Sequence, residues 1–210
     1  RRRRLRIQLI LTTFVVVANL IGIGIAILVV TITFPTPSVF DPGVRWITFA
    51  VAPAYILAAL VVGVFWATRR VINNVRWAIE EVAPTKEDQR NTFYAPWRLT
   101  RVLLVLWGTG TVVLTTLYAM VDTNFIPKVA LGISFPGLVV SASCYLFTEF
   151  ALRPVAAQAL EAGRPPRRFA HGIMGRTMLV WAVGSGVPVL GILLAAVITL
   201  ALQNLTPTQF

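Results

Sequence analysis

Residues 7–33 read IQLILTTFVVVANLIGIGIAILVVTIT, without a single charge. About 20 mainly apolar residues in helical form cross the roughly 30 Å hydrocarbon layer of a bilayer, so this run is long enough to span it. Val15–Val17 and Val29–Val30 are β-branched and would favour strands in water. In lipid a lone segment has to satisfy its own backbone groups, and only a helix does so. Immediately upstream stands Arg1-Arg-Arg-Arg-Leu-Arg6. The pair predicts a first span over 8–33, with Arg1, Arg2, Arg3, Arg4 and Arg6 held at anionic headgroups. A cleaved signal peptide would need a shorter apolar run and a small-residue cleavage pattern, and neither is present.

Outward from this segment the same signal recurs. Apolar runs predict further spans over 46–68, 102–121, 129–149 and 177–201. Composition agrees: of 210 residues 57% are apolar and 13% charged, with a mean hydropathy of +0.76, whereas a soluble domain is about 45–50% apolar and about a quarter charged. The alternating segments of about ten residues that build a membrane barrel are absent. The expected fold is an all-α polytopic transmembrane helical bundle.

The basic residues set the orientation. Those before the first span, between the second and third, and between the fourth and fifth number seventeen, against Arg45 and Lys128 on the other side. The positive-inside rule therefore predicts a cytoplasmic N-terminus and two cytoplasmic loops. The net charge of +11 then reads as topology and lipid contact, not nucleic-acid binding. The outer connections, 34–43 and 122–127, are too short for a ligand-binding domain. A signal from that side has to be small or come from the bilayer. Five spans leave residues 203–210 outside. That parity predicts a sixth span in a longer parent chain, the other reading being a five-span protein with a short outer tail.

On the cytoplasmic side, Val71, Val75, Ile79 and Val82 recur at helical spacing, predicting a helical segment over 69–83 ended by Pro84. Lys86–Arg90 reads as a charged turn, with Pro96 at the first turn of the third helix. A second helical segment over 152–163 carries a stripe of Leu152, Val155, Ala156, Ala159 and Leu160, with Gly163 at its end. These segments are either wetted ends of long spans or elements that relay a signal.

Catalytic and metal-binding patterns are missing. His171 is the only histidine and Cys144 the only cysteine, so neither a metal set nor an intrachain disulfide can be built from them. Glu149 and Arg153 stand four apart at the end of the fourth span, where an exposed pair would contribute a few tenths of a kcal/mol. The remaining candidates concern helix packing. Asn19 lies near mid-depth of the first span and is placed to bond across helices. Gly22-x-x-x-Ala26, Ala182-x-x-x-Gly186 and Ser141-Ala-Ser143 offer small faces. Pro53, Pro136 and Gly184-Ser-Gly-Val-Pro188 mark bends. Trp46, Trp66, Trp77, Trp97, Trp107 and Trp181 read as an interfacial belt.

The segment Glu149-Phe-Ala-Leu-Arg-Pro-Val-Ala-Ala-Gln-Ala-Leu-Glu-Ala-Gly163 resembles the first helix of a HAMP signal-relay module, although Arg-Pro-Pro follows Gly163 and no second HAMP helix does. With the N-terminal arginines, Val17-Ala-Asn-Leu-Ile-Gly22, Gly175-Arg-Thr-Met178 and Gly184-Ser-Gly-Val-Pro188, the chain resembles the membrane region of mycobacterial class III adenylyl cyclases. In that family six spans lead into a HAMP module and a cyclase domain. The resemblance implies a homodimeric parent that converts ATP to cyclic AMP with Mg or Mn. This chain would bind no cofactor itself and would anchor, dimerise and regulate the enzyme. Glu149, Arg153, Pro154 and Gly163 would couple the signal. A lipid or other apolar effector is the simplest stimulus. The membrane domain of a sensor histidine kinase and a freestanding small-solute transporter or channel stay open beside it.

Overall fold

The computed structural model describes residues 2–33, 36–74, 85–153, 178 and 181–205. Helix α1 spans Arg2–Leu28 and continues as a π-helical turn, Val29–Thr33. A second π turn, Ile47–Val51, leads into α2, Ala52–Asn74. Helices α3, Lys86–Ala119, and α4, Phe125–Ala151, follow. A third π turn, Ala182–Gly186, precedes α5, Val187–Leu205. No strand occurs among the described residues. Arg1, Pro154, Gly163, His171, residues 75–83 of the first cytoplasmic segment and 154–163 of the second lie outside them.

Three helical segments are long and apolar enough to cross a membrane: Thr12–Ile32, Tyr94–Ala119 and Phe125–Ala151. Ile47–Gly63 is a shorter apolar helix. The third and fourth expected spans thus correspond to single α-helices, and the first to α1 with the π turn Val29–Thr33 at its end. The second and fifth are broken near one end, and both times the break is a π turn followed by proline at the second α-helical position, Pro53 or Pro188. Proline's missing N–H is harmless in a first turn, and its ring obstructs tighter winding of the turn before it. The expected bend around Gly184–Pro188 therefore takes the form of a wide turn.

Two expectations about α3 are corrected. Lys86–Arg90 is helical, not a turn, and Pro96 sits inside the helix instead of starting it. The Thr100 hydroxyl donates to the Pro96 carbonyl at 2.9 Å, and Ala95 and Leu99 beside it are buried. Packing thereby outweighs the lost backbone bond. At about 1.5 Å per residue the 34 residues of α3 reach about 51 Å, roughly 20 Å more than the hydrocarbon layer is thick.

Helices α3 and α4 form a tightly packed hairpin. Its turn closes by bonds from the Val121 amide to the Tyr118 carbonyl (3.1 Å) and from the Asn124 amide to Asp122 Oδ1 (2.9 Å). Against this hairpin α1 packs mainly on α4 and α2 mainly on α3. At the 36–47 end a small core joins Val39, Val44 and Ile47 to Tyr118, Phe125 and Val129.

Candidate functional site

The three spanning helices meet at one indole. Asn19, buried in α1, donates from Nδ2 to the Val15 carbonyl at 2.8 Å. Its Oδ1 accepts from Trp107 Nε1 of α3 at 3.0 Å. Each polar end is matched, which an apolar interior demands, and an interhelical bond of this kind contributes about 0.6–2 kcal/mol. One turn along α1 lies Gly22. A Cβ there would collide with Val140 of α4 and come within 3.2 Å of the Trp107 ring. From the opposite side Gly137 of α4 meets the same residue, and a Cβ on it would sit 2.8 Å from Trp107 Cβ. The indole is therefore clasped between two glycines, with its N–H fixed by Asn19.

The expected roles of Asn19, Gly22 and the buried Ala26 as packing residues correspond to this arrangement. Trp107, grouped by sequence with the interfacial tryptophans, is half-buried and bonds Asn19 across helices. The partner glycine, Gly137, was missed; its signal was a small residue directly after Pro136. The Ser141 side of the expected α4 face is buried, but its hydroxyl has no hydrogen-bond partner. Ala182 and Gly186 occupy the π turn, where, among the described residues, a Cβ on Gly186 would come within 4 Å of Trp181 and Ala182 of the same turn. Helix α5 meets α4 near Gly191, where an added Cβ would lie 3.8 Å from the Phe135 ring.

Toward the C-terminal end of α4, Phe147 stacks on Phe14 of α1 with ring centroids 3.5 Å apart. Thr148 is fully buried, its hydroxyl without a partner, while its carbonyl accepts the Leu152 amide at 3.0 Å. Glu149 is partly buried on the last turn, and Arg153 is exposed with its guanidinium 5.1 Å from the Phe150 ring. The structure thus puts the described half of the expected coupling set one turn apart where α4 ends. Arg2, Arg3, Arg4 and Arg6 form the first turns of α1.

At the opposite end the sequence reading missed Lys128. Counted by sequence only among the outer charges, it lies in the first turn of α4 and is 2% exposed, with Nζ donating to the Pro37 carbonyl at 2.7 Å. The Thr48 hydroxyl bonds the Val39 carbonyl and lies 2.7 Å from the Tyr118 hydroxyl. These contacts pin the 36–47 connection onto the α3–α4 hairpin.

Because α1 leans on α4 and α2 on α3, a crevice of about 350 Å³ opens between α1 and α2, with α3 as its floor. Its few polar groups are spent internally: Tyr55 donates to the Leu106 carbonyl at 2.6 Å, Thr31 to the Ile27 carbonyl at 2.7 Å, and Asn19 and Trp107 bond each other. The walls are hydrocarbon. Among the described residues no group of three or more His, Cys, Asp or Glu could hold a metal ion, and Cys144 is buried. What the site offers is helix packing and apolar binding.

Fold and site define a helical protein with three segments able to cross a membrane. Over 209 residues, 99% of the chain, it is 53% identical to the uncharacterized protein Rv1319c of Mycobacterium tuberculosis. It is 55% identical over 196 residues, 93% of the chain, to the uncharacterized protein Rv1318c of the same organism. The uncharacterized protein Mb1354c of Mycobacterium bovis is 42% identical over the whole chain. The chain spans 39%, 36% and 37% of these relatives respectively. No protein-family profile and no solved structure matches it.

Proposed function

We propose that the chain is the membrane region of a mycobacterial adenylyl cyclase, serving to anchor, dimerise and regulate a cytoplasmic catalytic domain. In this reading five spans are completed by a sixth, the N-terminus is cytoplasmic and the membrane is the plasma membrane. The observation that supports it is the unbroken course of α4 to Ala151, with Glu149 in its last turn and Arg153 just beyond it, the first described residues of the HAMP-like sequence. Relatives more than twice the length of the chain leave room for that relay and for the enzyme.

A change at the Trp107 clasp alters how α1 sits on α4, and α4 carries the change toward Arg153. Catalysis belongs to the attached domain, which would use ATP and Mg or Mn as a homodimer. A lipid or apolar effector suits a bundle with such short outer loops. The test is cyclic AMP output of the full-length protein in native membranes, compared with a version whose residues 1–210 are replaced by an unrelated six-span anchor. The expected outcome is altered basal output and loss of any response to added lipids. Equal output and response in both would reduce the region to an anchor. Absence of cyclic AMP formation by the intact protein would remove the cyclase reading altogether, in favour of a kinase anchor or a transporter.

A further inference from the structure

Three helices carry the same pairing of ring and cation at one end of the bundle. Phe65 of α2, Trp97 of α3 and Phe150 of α4 are 57%, 45% and 64% exposed. Over each ring lies the guanidinium of an exposed arginine about one helical turn on: Arg69 at 4.0 Å from the centroid, Arg101 at 5.4 Å and Arg153 at 5.1 Å. Gly63 of α2 meets Leu106 of α3, and Gly137 of α4 meets Trp107 of α3. At about 1.5 Å per residue, Arg69 stands about 9 Å beyond Gly63, Arg101 about 8 Å before Leu106 and Phe150 about 20 Å beyond Gly137, so the pairs share an end. At about 100° per residue, each of these three is turned by about 120–140° from the contact named, away from the neighbouring helix.

The long apolar runs stop at these pairs. Hydrocarbon on one side, a ring at the boundary and a cation over it match the order of acyl chain, interface and phosphate in a leaflet. A guanidinium held by its face on a ring keeps its edge donors for a bidentate grip on phosphate. A soluble acidic partner would use the cations but leave three rings facing lipid without a role. Glu149 stands one turn before Arg153, yet the Arg153 guanidinium lies on Phe150. The other end of the bundle differs. There the exposed Arg45 turns to the Phe40 carbonyl at 3.5 Å, among Asp41 and Asp122.

We propose that Arg69, Arg101 and Arg153, each set on its ring, form a collar that binds the phosphates of anionic phospholipids in the adjoining leaflet. The collar deepens the anchoring role and rests on the membrane-embedded reading, not on an attached cyclase.

The experiment reconstitutes the full-length protein in mixed bilayers carrying chain-spin-labelled phosphatidylglycerol or phosphatidylcholine. Electron paramagnetic resonance reads the motionally restricted fraction of each. At low salt the preference for phosphatidylglycerol is expected to be about threefold. Replacing the arginines together (Arg69→Gln, Arg101→Gln, Arg153→Gln) is expected to lower it to about 1.5-fold or less. Replacing the rings (Phe65→Leu, Trp97→Leu, Phe150→Leu) keeps every charge and is expected to give a similar fall, because the guanidiniums are no longer held. All six side chains are exposed, so the restricted fraction of phosphatidylcholine, which counts the lipid perimeter of the folded bundle, is expected to stay the same. An undiminished preference in the arginine variant would overturn the proposal. So would a fall there without one in the ring variant, which would reduce the attraction to diffuse charge. Loss of the preference on adding inorganic phosphate at constant ionic strength would also overturn it, by making the ligand a soluble anion. A protein that restricts neither lipid would refute the membrane-embedded reading itself, so the two fail separately.

Discussion

Trp107 is the residue on which the packing of α1 against the α3–α4 hairpin turns, and its two kinds of contact can be separated by substitution. Trp107→Phe keeps an aromatic ring against Gly22 and Gly137 but removes the donor to Asn19. Asn19→Leu removes the acceptor and leaves the indole N–H unpaired. A double-mutant cycle in a mild detergent is expected to give a coupling of about 0.6–2 kcal/mol between them. A coupling near zero would mean that the bond is geometric only. Gly137→Val acts differently. Its first added atom meets Trp107 Cβ, which cannot swing away without moving α3, so a loss of about 1–3 kcal/mol in unfolding free energy is expected. Asn19 was legible in the sequence because a polar residue in hydrocarbon demands a partner. Which residue met it was not legible, since spacing along α1 says nothing of the rotation of α3.

At the scale of elements, the long spans were readable because a run of some twenty apolar residues has few other uses. The start of α3 was not. A charged stretch and a proline normally break a helix, and only the burial of Ala95 and Leu99 keeps this one going. Pro96→Ala supplies the missing N–H and is expected to slow amide exchange over 93–98, measured by mass spectrometry. Exchange faster than in the parent would show that the proline ring is needed for packing more than the bond is missed. The burial of Lys128 was not legible because a lone basic residue beside a short connection is usually solvated. Lys128→Met is expected to cost about 1.5–3 kcal/mol through the lost charge-assisted bond to Pro37, and to speed exchange at the Val44 amide, which is otherwise bonded to Asp41. Unchanged exchange there would place the hold of the loop in Thr48 and Tyr118 instead.

For the whole molecule, the orientation proposed from the arginines predicts a labelling pattern. In a Cys144→Ala background, cysteines at positions 76 and 167 are expected to react with a membrane-impermeant maleimide only after lysis, and one at position 122 in intact cells. Reaction at 76 and 167 from opposite sides would end the proposed relay toward the cytoplasm. The sequence made the topology and the general class legible because both are set by sums over many residues. The crevice was hidden, since it arises from two helices leaning on different partners, a relation that no single segment encodes.

The π turns at Val29–Thr33 and Ile47–Val51 flank the 36–46 connection, each already accommodating one residue more than an α-helical turn would. A winding that has absorbed a surplus residue can also release or regain it, so single-residue deletions or insertions within 29–33 or 47–51 should leave the remainder of each rod in phase. The same edit between Phe125 and Gly137 would rotate everything beyond it by about 100° and carry the glycine away from the indole. Length variation should accordingly be forgiven at this hairpin and punished along α4.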